Sequence, residues 1–113
     1  MSQNDQQQLA KARLKITTDG RPYDIRLGDF SAMDEVLYEQ ATGKGLMDIF
    51  MGGGITVRQV AGYVWLERQR YEKKLSFEKV FSKFKVSDLD TLEILDGTEE
   101  QDDEEGVGSA PES

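Results

Sequence analysis

The spacing of apolar residues changes once along this chain, and that change limits the fold more than any other feature. Leu14, Lys15, Ile16 and Thr17 alternate apolar and polar, and so do Tyr23, Asp24, Ile25, Arg26 and Leu27. A period of two puts one set of side chains on one face of a strand. Asp19-Gly20 lies between the two runs, a two-residue signal for a tight hairpin turn. Pro22 stands at the start of the second run, where a missing N–H is tolerated on a sheet edge.

From residue 31 the period becomes helical. Ser31 with Asp34 three residues on reads as a capping-box start, and Gly43 as the left-handed stop. Met33, Val36, Leu37, Gln40 and Ala41 fall on one side of that helix and are expected to face the core. Leu46, Met47, Ile49, Phe50 and Met51 form a short apolar stretch, read as one or two helical turns before the break at Gly52, Gly53 and Gly54.

Thr56 opens the longest element, with Gln59 at its third position, and the pattern carries it from Val57 to about Lys74. Val57, Val60, Ala61, Val64, Arg68 and Tyr71 share one face, with Trp65 beside it. Tyr63 and Leu66 point elsewhere, so the first half is apolar over most of its circumference and suits a central helix. Ser76 caps a further helix whose Phe77, Val80, Phe81 and Phe84 follow helical spacing, and residues 87–95 form a last amphipathic turn or two. Val60, Val64, Trp65, Phe77 and Phe81 are expected core residues. The class is α+β and mostly helical, a short N-terminal β-hairpin packed on three to five helices.

Charge divides the chain into parts. Residues 96–113 hold eight acids and no base, whereas residues 1–95 hold the remaining 14 of the 22 acids and all 14 bases. The net charge of −8 therefore belongs to the last 18 residues. Acids with neither counter-charge nor apolar stripe cannot offset the entropy of ordering. This predicts a flexible lead-in at 1–11, one compact domain at 12–95 and a disordered acidic tail at 96–113.

The chain has no cysteine and no histidine. That excludes disulfides, thiolate chemistry and the commonest general base and metal ligand. No apolar run reaches the roughly 18 residues that a membrane span needs. The polar N-terminus lacks a signal-peptide layout, so a soluble, cytoplasmic protein is expected.

Each remaining motif has a plainer explanation than chemistry. Gly43-Lys44-Gly45 contains the Gly-Lys pair of a phosphate loop, but Tyr38 and Gly45 stand where that loop needs glycine and a hydroxyl. Gly52, Gly53 and Gly54 precede a helix without the spacing of a dinucleotide loop. Asp88 and Asp90 open like a calcium loop, yet Leu92 and Glu93 fail its pattern. Ser76 and Lys79 have the spacing of a nucleophile pair, which capping already accounts for. Residues 67–85 hold seven bases against three acids, a stretch that suits either nucleic acid or a solvated face. No catalytic, cofactor or metal site is expected, and the acidic tail argues against nucleic-acid affinity.

Six segments in order carry a family resemblance: YDIRLGDFSAMDEVLYEQATG at 23–43, MDIF at 47–50, GGIT at 53–56, AGYVW at 61–65, RQR at 68–70 and LSFEKV at 75–80. This order resembles the small tail assembly chaperones of long-tailed bacteriophages, particularly those infecting actinobacteria. The resemblance implies a non-catalytic chaperone in the cytoplasm of the infected host. It would bind the tape-measure protein, keep it soluble, recruit tail tube protein and be absent from the finished virion. It also implies a longer product made by ribosomal frameshifting. Two rivals are a structural or connector protein retained in the virion and a small nucleic-acid-associated regulator. For partner binding, Leu46, Met47, Phe50 and Met51 are the candidate patch, because methionine adapts its shape to varied surfaces. Self-association through the same patch would follow.

Overall fold

The computed structural model describes residues 11–95. The expected lead-in and acidic tail fall outside these residues, save Lys11. β1 (Arg13–Thr18) and β2 (Arg21–Arg26) form the expected hairpin, with Leu14 opposite Ile25 and Ile16 opposite Tyr23. Its turn places Asp19 at φ 52° and Gly20 at φ 76°. Two successive positive φ values match the right-handed twist of the strands, and Asp-Gly is the pair that tolerates them.

α1 (Ala32–Thr42) begins as read. The Ser31 hydroxyl accepts from the Asp34 N–H at 3.1 Å while the Asp34 carboxylate accepts from the Ser31 N–H at 2.9 Å. Gly43 closes it in the left-handed conformation. α2 (Val57–Gln69) starts with the same device, Thr56 and Gln59 capping each other, and Gln59 is buried because both its partners are local. α3 (Phe77–Lys83) starts at Ser76, whose hydroxyl accepts from the Lys79 N–H at 3.2 Å. That hydroxyl is a helix cap.

α2 lies at the centre, against β2, α1 and α3. Every residue from Gln59 to Leu66 is buried, including Tyr63 and Leu66, so the helix is covered on all sides. The core joins Leu14, Ile16 and Ile25 of the sheet to Tyr38, Val60, Val64, Trp65, Phe77 and Val80, while Phe81 packs half-buried against it.

Three expectations are overturned. α2 ends at Gln69 rather than about Lys74, and Tyr71 is exposed instead of lining its apolar face. No Gly or Pro stops it. Past Arg70 nothing covers another turn, and the chain folds back so that the Leu75 carbonyl accepts from the Trp65 indole N–H at 2.8 Å.

The helical turn or two expected over 87–95 is confined to the first part of that stretch. A 3-10 turn spans Val86–Thr91 and then β3 (Glu93–Leu95) pairs antiparallel with β1, giving the sheet order β2-β1-β3. β3 is short, and the Thr91 side chain extends its ladder. The Thr91 hydroxyl accepts from the Thr17 N–H at 2.9 Å and approaches the Thr17 carbonyl at 3.3 Å. The buried Thr18 hydroxyl donates to the Asp88 carboxylate at 2.6 Å.

The third concerns α1. Met33 and Val36 are 62% and 45% exposed. The buried side is instead that of Tyr38, with Leu37 and Ala41 half-buried beside it. The cause sits on α2: a Cβ at Gly62 would lie 2.7 Å from Tyr38 Cε1 and 2.8 Å from Thr42 Cγ2. The two helices meet at a contact only glycine permits, and that contact sets the rotation of α1.

Candidate partner-binding surface

The segment between α1 and α2 is organised by short-range hydrogen bonds. The Thr42 hydroxyl donates to the Tyr38 carbonyl at 2.8 Å and accepts from the Lys44 N–H at 3.1 Å. The Asp48 carboxylate accepts from the Gly45 N–H at 3.0 Å, closing a loop that leads into the 3-10 turn Asp48–Phe50. The expected one or two helical turns are this single 3-10 turn.

One long-range bond fastens the segment to the core. The Tyr63 hydroxyl donates to the Leu46 carbonyl at 2.5 Å, and the Tyr63 ring lies 6.3 Å from Phe50, 5.6 Å from Phe30 and 5.2 Å from Tyr38. Tyr38 donates in turn to the Gln59 carbonyl at 2.9 Å. Burial disfavours the phenolate of both tyrosines and pushes both hydroxyls far above the ordinary value of 10.0. They therefore stay protonated and act as fixed donors.

This geometry separates the four residues singled out from the sequence. Leu46 is only 6% exposed and belongs to the core, so it is closed to any partner. Met47 and Phe50 are half-buried against the core, with Phe50 covering Tyr63. Met51 alone is open, at 74% exposure. The difference follows from the turn: the side chains of residues 46, 49 and 50 point inward, and Met51 leaves at its end. The structure adds Met33 and Val36 on α1, Ile55 before the cap of α2, and Tyr71 and Val86 further along to the exposed apolar residues. Met33 and Val36 escaped detection because the alternative stripe through Tyr38 is equally periodic. Only the bare Gly62 on the partner helix hints at which stripe is buried.

The basic stretch divides into two kinds of side chain. Arg58, which precedes the stretch, lies over its Phe77 and Phe81 at 5.1 and 4.8 Å and pairs with Glu78 at 3.8 Å. Arg68 makes a two-pronged contact to Glu72, both bonds 3.0 Å, which holds the Glu72 carboxyl below the usual range. Arg70 covers Phe30 and donates to the Asp29 carbonyl at 3.0 Å. These arginines bind the fold together. Lys73, Lys74, Lys79, Lys83 and Lys85 make no ion pair among the described residues.

Among the described residues no three acidic side chains group into a metal-binding set, and no helix is long and apolar enough to cross a membrane. Asp88, first of the pair resembling a calcium loop, is occupied by Thr18 and by the Lys85 N–H at 3.0 Å. No family model, curated protein or solved structure matches this chain.

Proposed function

We propose that this chain is a non-catalytic tail assembly chaperone of a long-tailed bacteriophage. It binds the tape-measure protein through apolar side chains, keeps it soluble in the host cytoplasm and assists tail tube assembly. Besides Tyr71 and Val86 later in the chain, the exposed large apolar residues are Met33, Val36, Met51 and Ile55, on a body whose core is already filled, and these four carry the reading. Two of these four are methionines, which repack against irregular apolar helix faces with little rotamer strain. The ordered segments at 23–43, 47–50, 53–56, 61–65, 68–70 and 75–80 supply the family side of the reading.

The test is co-expression with the tape-measure protein, comparing wild type with Met33→Asp/Met51→Asp. Both side chains are more than half exposed, so the double variant should fold with little loss of stability, roughly 0.5 kcal/mol per site. It should leave the partner insoluble. A variant that folds normally and still keeps the partner in solution would exclude this surface. Mass spectrometry of purified virions distinguishes a chaperone, absent from the particle, from a structural component retained in it.

A further inference from the structure

Three of the five lysines at 73–85, none of which makes an ion pair among the described residues, come together. Lys73, Lys74 and Lys79 line one open depression of about 430 Å³, together with Leu75 and Glu72. Glu72 does not neutralise it, because Arg68 already holds that carboxylate. The Leu75 carbonyl is turned inward to the Trp65 indole, which fixes the backbone of the depression against α2. The result is a depression lined by Leu75 and by three lysines with no ion pair among the described residues, with two more lysines, Lys83 and Lys85, further along the chain.

The chain also contains the complementary charge. Residues 99–105 hold six acids in seven positions (Glu99, Glu100, Asp102, Asp103, Glu104 and Glu105) and no base. We infer that this acidic stretch occupies the lysine-lined depression of its own chain.

The place where β3 ends makes the contact reachable. Leu95 lies opposite Arg13, at the end of β1 away from the hairpin turn. The depression lies toward the other end, where Glu72 and its partner Arg68 come under the influence of Arg21 and Asp19 beside that turn. β1 is about 17 Å long, and the ten residues from 96 to 105 can span up to about 33 Å. Tethering raises the effective concentration of the acids to the order of millimolar, so that weak, screened attractions suffice to populate the contact. The occupied depression would keep its lysines from nucleic acid, which reconciles a basic surface with a chain of net charge −8. This inference stands apart from the chaperone reading, which uses the apolar residues elsewhere.

The absence of cysteine makes the test direct. A nitroxide is attached to the full-length Gln101→Cys variant, and amide signals are compared with the label oxidised and reduced. At about 0.01 M salt, where the screening length is about 30 Å, the amides of Leu75, Ser76 and Lys79 should lose at least half their intensity. They should recover at about 1 M salt, where that length is about 3 Å. They should also recover in the same labelled chain carrying Lys73→Gln/Lys74→Gln/Lys79→Gln, whose exposed substitutions leave the remaining spectrum in place. Full intensity at low salt in the labelled wild type would overturn the inference, as would broadening that survives the lysine replacements. Mixing isotope-labelled chains without nitroxide with unlabelled nitroxide chains decides between own-chain and second-copy docking. Broadening there as strong as in the doubly labelled chain would also overturn it.

Discussion

At the scale of single residues, the most consequential position is one with no side chain. Gly62 lets Tyr38 and Thr42 approach α2 closer than any Cβ permits. Gly62→Ala gains helix propensity but must push apart two packed helices, and the overpacking dominates. We expect a net loss of about 1–3 kcal/mol in denaturant unfolding, with unchanged helix content by circular dichroism. The two buried tyrosines give a second prediction. Their hydroxyls ionise in the unfolded chain near 10.0 but well above that in the folded one. A raised folded pKa means stability is complete below pH 10 and falls as pH rises beyond it. Tyrosinate absorbance from Tyr38 and Tyr63 should therefore emerge together with unfolding. Tyr63→Phe should remove part of this alkaline slope and cost about 1–3 kcal/mol at neutral pH, because the Leu46 carbonyl loses its donor.

At the scale of elements, the strong local signals were legible. Asp19-Gly20 fixed a hairpin, and Ser31, Thr56 and Ser76 each sit as the cap of the helix that follows. What the sequence hid was decided elsewhere in the chain. Glu93, Ile94 and Leu95 are too few to show a period, and they become a strand only because β1 offers an edge some 80 positions earlier. The end of α2 was hidden for the converse reason, since residues 70–74 contain no breaker and simply find nothing to pack against. Of the four candidate patch residues, burial could not be read from composition: Leu46 and Met51 look alike in sequence and differ by the direction of one 3-10 turn. The Thr91 bridge offers a test at this scale. Thr91→Val keeps the shape but removes the hydroxyl that stands in for a ladder rung. The Thr17 amide should then exchange at least several-fold faster with solvent, whereas Ile16 and Leu14, on the β2 side, should change little.

At the scale of the whole molecule, α2 acts as the common wall for the sheet, α1 and α3, and the surface carries two separate features. Met33, Val36, Met51 and Ile55 lie on α1 and around the glycine break, and the lysines lie past the end of α2. Their separation predicts independent variants: Met33→Asp/Met51→Asp should leave the salt dependence of the acidic contact intact. On α2 sits Trp65, the chain's one tryptophan, 7% exposed and joined by its indole N–H to the Leu75 carbonyl. That bond makes the ring an optical sensor of the loop it holds. If residues 70–76 lift away while the core stays closed, the indole loses its acceptor and meets water, and its emission shifts to longer wavelength without loss of helical ellipticity. Global unfolding changes both signals at once. The loop's own opening can thus be followed in unlabelled protein by fluorescence alone.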